Sequence, residues 1–221
     1  MGTDGHVQAV VFDLDGVLLD SEQVWDEIRE QLVRERGGRW HDGAQRDMMG
    51  MSSEEWSWYM HDELGLAGPP EQINAEVVRR MQDRYARELP LLPGAVDAVR
   101  RLAERWPLGL ATSSNRPVIE TVLDAAGLRQ FFAATVSSEE VARGKPAPDV
   151  YLEAARRLGV DPARCVAVED SHNGIRSARA AGMRVIAIPN PHFPPGDALR
   201  EADVVAKSLD ELTPELVSPS S

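Results

Sequence analysis

Asp13 and Asp15 stand two residues apart at the end of the apolar run Val10-Val11-Phe12, with Gly16 directly after them. Two carboxylates at the end of an apolar run are costly to place unless something neutralises them. A divalent cation does this, because Mg2+ takes hard oxygen ligands, often one or two carboxylates together with substrate phosphate oxygens. Taken alone, Asp-x-Asp-Gly is also an ordinary surface turn, and in isolation the more frequent one. Three later stretches change that balance. Thr112-Ser113-Ser114-Asn115 follows the apolar Leu108-Gly109-Leu110-Ala111, Lys145 stands in Arg143-Gly144-Lys145-Pro146, and Glu169-Asp170 follows Val166-Ala167-Val168. An Asp carboxylate is a nucleophile that can pass through an aspartyl-phosphate. A second carboxylate can protonate the leaving oxygen and then deprotonate the attacking water. Hydroxyls and backbone N–H groups at a helix N-terminus suit phosphate oxygens. A lysine and Mg2+ offset the repulsion between an anionic nucleophile and an anionic phosphate. Together these residue types support phosphoryl transfer.

The elements that must position them alternate along the chain. Val10 to Phe12 reads as a short buried strand, rich in β-branched residues. Asp20 and Gln23 can open a helix as a capping-box-like pair. Val24, Ile28 and Leu32 give it i, i+4, i+8 spacing, and Gly37-Gly38 ends it. Helices over about 52–64 and 71–88 follow, with no convincing strand between Leu19 and Pro90, which predicts an all-helical insertion. From Leu91 the alternation returns: a helix over 93–104, the strand 108–111, and a helix with Pro117 at its first position and Gly127 past its end. Then come a strand near 134–136, a helix over 148–158 closed by Gly159, the strand 166–168, a helix from about Asn173 to Gly182 and the strand 185–188. Asp203 to Val205 reads as a minor edge strand, Pro189 to Gly196 as proline-rich irregular structure, and Val217 to Ser221 as a disordered tail. Short apolar strands alternating with Gly-terminated helices imply an α/β fold, a doubly wound, mainly parallel sheet with a Rossmann-like core and an inserted α-helical cap. The expected division is residues 1–19 for the first strand and nucleophile loop, 20–90 for the cap and 91–221 for the rest of the core. In such sheets ligands bind beyond the carboxyl ends of the strands, where all four polar stretches fall.

The chain has 221 residues and a formal charge of -12, which argues against nucleic acid or an anionic membrane as partner. Cys165, the only cysteine, leaves no internal disulfide and no cysteine-rich zinc site, and reads as a buried small hydrophobe. No run is long enough to span a membrane and the N-terminus lacks the apolar region of a signal peptide, so a soluble cytoplasmic protein is expected.

Four motifs, Asp13-Leu14-Asp15-Gly16-Val17, Leu110-Ala111-Thr112-Ser113, Gly144-Lys145-Pro146 and Val168-Glu169-Asp170-Ser171, give the chain its resemblance to the haloacid dehalogenase-like hydrolase superfamily. It resembles the subgroup with a helical cap after the first motif, from Ala9 to about Ala206. The resemblance implies Asp13 as nucleophile and Asp15 as general acid/base. It implies that Thr112, through its hydroxyl, and Ser113, through its backbone N–H, bind the transferring group, with Ser114 and Asn115 in the same phosphate-binding turn. Lys145 would bridge phosphate and nucleophile. Mg2+ would be held by Asp13, the Asp15 carbonyl oxygen, Asp170 and Glu169. The expected partner is a small phosphorylated metabolite, with the protein a monomer or weak homodimer. His172 gains no role, and Trp25, Trp56 and Trp58 read as cap packing, with Trp25 able to face the cleft.

Asp15 separates phosphate chemistry from dehalogenation, which needs no acid for an alkoxide leaving group. The core also resembles β-phosphoglucomutase, but the cap departs from it. Trp25 stands where that mutase has a histidine, and Met49 and Ser53 stand where it has a lysine and an arginine for a second phosphate. A phosphatase acting on a small phosphomonoester, such as a sugar phosphate, is therefore expected over a mutase. Arg46 is the cation with the reach to restore the missing charge. A non-catalytic phospho-acceptor module is the remaining alternative, disfavoured by Asp15 and by the helical insertion.

Overall fold

The computed structural model describes residues 6–48, 51–190 and 194–219. Its centre is a six-stranded, wholly parallel sheet in the order β3-β2-β1-β4-β5-β6. The strands are β1 (Ala9–Phe12), β2 (Leu108–Thr112), β3 (Phe132–Ser137), β4 (Cys165–Glu169), β5 (Arg184–Ala187) and β6 (Val204–Val205). Every residue of β1, β2 and β4 is buried, as expected of parallel strands covered on both faces. The two-residue period of a strand divides them between two apolar layers. Val10 and Phe12 join the layer containing Val99, Leu102 and Ile119, whereas Ala9 and Val11 join Tyr151, Ala154 and Ile175 on the other face. The first layer is covered by α5 (Ala95–Ala103) and α6 (Arg116–Ala125), the second by α7 (Asp149–Leu158) and α8 (His172–Ala180). This is the expected doubly wound sheet.

Among the described residues, four helices lie between β1 and α5: α1 (Glu22–Glu35), α2 (Ala44–Met48), α3 (Ser53–Asp62) and α4 (Pro70–Arg87). They pack on one another through Leu32, Trp56, Met60, Ile73, Val77 and Met81. A capping box between Ser52 and Glu55 starts α3, satisfying two otherwise orphaned donors. α4 reaches the core at α6, where Gln82 Nε2 donates to Thr121 Oγ1 at 3.2 Å.

Three local expectations change. The residue that caps α1 is Ser21, with no side-chain cap, and not the pair Asp20 and Gln23; the Ser21 hydroxyl donates instead to Asp15 Oδ1 at 2.6 Å. The five-residue α2 has no sequence period of its own to announce it. Val217, expected to open a disordered tail, instead ends a short helix, α9 (Pro214–Val217), where it is buried and its carbonyl accepts from Arg184. Residues 1–5, 191–193 and 220–221, on which part of the proline-rich stretch and the last tail residues fall, lie outside the described residues, as do Met49 and Gly50. Cys165 is buried as expected, and burial pushes its thiol up to about 11. No helix among the described residues is long and apolar enough to cross a membrane.

Candidate active site

The β1–β4 pairing continues one residue beyond β1, where Asp13 N–H donates to the Val168 carbonyl at 3.0 Å. That bond fixes Asp13 against the strand that ends in Glu169. The chain then turns through Gly16 at φ +79°, and a Cβ there would lie 2.0 Å from Asp170 Oδ2. Only glycine lets the Asp170 carboxylate lie against the loop that follows Asp13. Gly174, in the first turn of α8, makes the same allowance for Glu169, whose Oε1 lies 1.7 Å from the position of a Cβ. Two carboxylates are thus seated directly on glycine backbone.

Lys145 is buried among them. Its Nζ donates to Asp13 Oδ1 at 2.7 Å and to Glu169 Oε1 at 2.6 Å, with the Tyr151 hydroxyl at 3.4 Å. Burial works against the ammonium charge, but Asp13 and Glu169 overcome it and hold Lys145 above the ordinary lysine range. Burial pushes the Asp13 carboxyl up to about 8; Lys145 opposes that rise, and Glu169 and Asp15 add to it. Asp170 is likewise held well above the carboxylate range by burial and by Glu169 and Asp13. Glu169 is fully engaged: Oε1 also accepts from the Tyr151 hydroxyl at 2.8 Å, and Oε2 accepts from the Asp170 and Ser171 amides and the Ser171 hydroxyl. Asp170 Oδ1, by contrast, is buried and has no hydrogen-bond partner.

Asp13, Glu169 and Asp170 each offer an oxygen, all within 4.8 Å of one another. Excess negative charge, a buried orphaned carboxylate oxygen and all-oxygen donors fit a hard divalent cation. Glu169 already spends its two oxygens on five donors, so Asp13 and Asp170 have the most capacity left for an ion.

Asp15 has a different environment. Oδ1 accepts from the Ser21 hydroxyl at 2.6 Å and from the Trp25 indole N–H at 2.9 Å, while Oδ2 accepts from the Ser114 hydroxyl at 2.6 Å. Two of these donors precede or lie on α1 and one belongs to the core turn, so the insertion and the core jointly aim this carboxylate. Thr112 and Ser113 line the cavity beside Asp13. The Thr112 hydroxyl accepts from the Ser114 amide at 3.1 Å, and Ser137 and Ser138 donate to the Ser114 and Ser113 carbonyls. Asn115 departs from the expectation of a phosphate contact. It is not among the cavity's lining residues, and its amide nitrogen donates to Asn74 and Glu139. The cause is its position: it is the residue before α6 and faces the α3–α4 side.

One cavity therefore gathers Asp13, Asp15, Thr112, Ser113, Ser114, Lys145 and Asp170, and adds Glu22, Trp25, Arg29 and Trp56 from the insertion. Trp25 and Trp56, expected as packing, also face the cavity, whereas Trp58 is 46% exposed and His172 is exposed. Glu22 and Arg29 were not legible as site residues. Burial pushes Glu22 up to about 7, with Asp15 adding to it, and lowers Arg29 to about 10. Their signal was spacing: Glu22, Trp25 and Arg29 stand at i, i+3 and i+7, one face of a helix. Arg46, the cation with the reach to replace the mutase's missing charge, is exposed and outside the lining, because it sits on the outer side of α2.

Comparison with known proteins places these residues in context. A family model described as haloacid dehalogenase-like hydrolase matches residues 7–182. Hexitol phosphatase B of Escherichia coli (strain K12) is 38% identical, over 96% of this chain and 97% of its own length. The structure is similar to CbbY from Rhodobacter sphaeroides crystallised with phosphate, with a TM-score of 0.83 and 30% identity over 93% of this chain and 96% of that one. A CbbY variant crystallised with xylulose-(1,5)bisphosphate gives a TM-score of 0.80 and 29% identity, over the same shares of both chains.

Proposed function

This chain belongs to the haloacid dehalogenase-like hydrolase family, and we propose that it is a Mg2+-dependent phosphatase that hydrolyses a small phosphomonoester, such as a sugar phosphate, through an aspartyl-phosphate on Asp13. The observation that carries the reading is Lys145 held 2.7 Å from Asp13 in a cavity that also contains Asp15, the Thr112 turn and Asp170.

In the proposed reaction a carboxylate oxygen of Asp13 attacks phosphorus and the bond from phosphorus to the ester oxygen breaks. Asp15 gives its proton to the departing alkoxide. Asp15 then takes a proton from water as the water oxygen attacks phosphorus. The bond from phosphorus to Asp13 breaks, releasing inorganic phosphate and the free carboxylate. Lys145 keeps Asp13 oriented and offsets its charge against the incoming phosphate, and Thr112 and Ser113 lie where they can bind the phosphoryl oxygens. Asp13, Asp170 and the Asp15 carbonyl oxygen, with Glu169 at the edge of the set, would hold Mg2+, which supplies charge neutralisation at the transferring group.

The reading of hydrolase over mutase rests on the cap side of the cavity. The cations that line the cavity are Lys145 and Arg29, and Arg29 is accompanied there by the carboxylate of Glu22. A bisphosphate turned end for end would leave one phosphate without balancing charge. The relatives named as a hexitol phosphatase and as a protein crystallised with a sugar bisphosphate support phosphorylated sugars and polyols as the substrate class. The test is phosphate release from a panel of phosphomonoesters with Mg2+ and with EDTA. Metal-dependent release that differs strongly among substrates is expected. Conversion of β-glucose 1-phosphate to glucose 6-phosphate without net phosphate release would replace this reading with the mutase.

A further inference from the structure

The cap side of the cavity contains a buried cation that the phosphoryl chemistry does not use. The Arg29 guanidinium lies over two indoles, with its carbon 4.7 Å from the Trp25 ring centroid and 4.8 Å from that of Trp56. The residue is 5% exposed, and its Nε is buried without a partner. Its one hydrogen bond among the described residues runs from Nη1 to Gln45 Oε1 at 3.2 Å. The same Gln45 amide donates to Glu22 Oε2 at 2.9 Å and to the Glu22 carbonyl at 3.3 Å. Gln45 therefore holds Arg29 and Glu22 at a fixed separation, and the two form no ion pair within 4.0 Å. A guanidinium has five N–H donors and a carboxylate about four acceptor sites. Each side chain retains capacity, on a rigid mount, facing the cavity that holds Asp13.

We propose that Arg29 and Glu22, spaced by Gln45, form a donor–acceptor pair that selects phosphomonoesters whose leaving group is a neutral polyol and rejects those ending in a carboxylate or a second phosphate. This rests on the phosphatase reading above and names its substrate class. A hydroxyl accepts and donates at once, so it satisfies Arg29 and Glu22 together. A carboxylate or phosphate group only accepts at neutral pH. It gains Arg29 but meets Glu22, with Asp15 close enough to act on both residues. The Glu22 charge cancels the attraction of Arg29, so a terminal anion finds no net electrostatic gain and a desolvation cost. Rejection by a repulsive element beside an attractive one is how a site discriminates between ligands of one shape.

Glucitol 6-phosphate and 6-phosphogluconate test this, since they differ only in a terminal hydroxymethyl against a carboxylate. Assayed at pH 8.5 with Mg2+, the enzyme should favour glucitol 6-phosphate by about 10²-fold or more in kcat/KM, short of the roughly 10⁴–10⁵-fold by which a site built to hydrogen-bond a hydroxyl rejects an analogue lacking it. Glu22→Gln should narrow that ratio below about tenfold by raising turnover of 6-phosphogluconate. Arg29→Gln should lower kcat/KM for glucitol 6-phosphate mainly through KM; if it fails to fold, Glu22→Gln decides alone. Equal use of the two compounds, or a ratio unmoved by Glu22→Gln, overturns the inference. Hydrolysis of acetyl phosphate with neither hexose compound used overturns it while leaving the phosphatase standing. No phosphate release from any of the three removes both.

Discussion

The two ends of the cavity are built on opposite plans. At the core end, Asp13, Glu169 and Asp170 leave the ends of adjacent parallel strands, and Lys145 closes on two of them at 2.7 and 2.6 Å. That end carries more negative charge than its one lysine balances, which suits an incoming dication. At the cap end, Glu22, Trp25 and Arg29 project from one face of α1, and the single positive charge is already matched by a carboxylate. The core end is electrostatically unfinished without a ligand, while the cap end is close to neutral and nearly complete. A chemistry common to many substrates can sit on the first plan, and discrimination of neutral from anionic leaving groups can sit on the second.

Substitutions at the core end should therefore abolish turnover, and those at the cap should redistribute it. The largest effect is expected for Asp13→Asn, which removes the proposed nucleophile and should cost about 10⁴-fold or more in kcat; turnover resembling wild type would break the comparison at its base. Asp15→Asn should cost on the order of 10²–10⁴-fold, the range for general acid/base catalysis. A loss below about tenfold would move the acid elsewhere. Lys145→Met should cost about 10²–10³-fold and lower stability by about 3–5 kcal/mol, because it strands two buried carboxylates. Thermal unfolding beside kinetics separates the two.

Metal binding gives the next effect. In the metal-free protein, burial holds Asp13 up to about 8, so below that pH the carboxyl is protonated and must release its proton to bind a cation. Mg2+ affinity should therefore rise with pH through this range, because Asp13 and Asp170, both held above the carboxylate range, must each give up a proton to the solvent. Isothermal titration in buffers of different ionisation enthalpy would detect those protons, and an affinity flat from pH 6 to 8 would contradict the assignment. Smallest is Trp25→Phe, which keeps a ring against Arg29 but deletes the 2.9 Å hydrogen bond to Asp15. Losing a bond to a charged group should lower kcat by about tenfold, with KM moved less. An unchanged kcat would leave Trp25 a purely packing residue.

The same contrast explains what was legible in the sequence. β1, β2 and β4 are unbroken apolar runs that end in polar residues, so the strand ends announced Asp13, Thr112 and Glu169 directly. The sheet's parallel topology followed from strands alternating with Gly-terminated helices. The cap side hid its residues because a helix interleaves its faces: Arg29 stands between Ile28 and Glu30 in sequence and reads as solvated until the i, i+3, i+7 set is drawn. Arg46 has a side chain long enough to replace the missing charge, but reach does not fix the helical face on which a residue stands. Asn115 shares a polar turn with Thr112 and Ser113, yet the start of α6 swings its side chain towards Asn74 and Glu139. Nor could the sequence show that Ser21 would serve Asp15 rather than cap its own helix.

The central claim is that Asp13 carries the phosphoryl group. Asp15→Asn supplies the means to see it, since acetyl phosphate needs little acid assistance to phosphorylate Asp13 and the variant lacks the base that completes hydrolysis. Acid quenching after exposure to acetyl phosphate and Mg2+, followed by borohydride reduction and peptide mass analysis, should find homoserine at position 13 and none in the Asp13→Asn, Asp15→Asn double variant. Phosphate release with Asp13 never modified, or a label on another residue, would contradict the account.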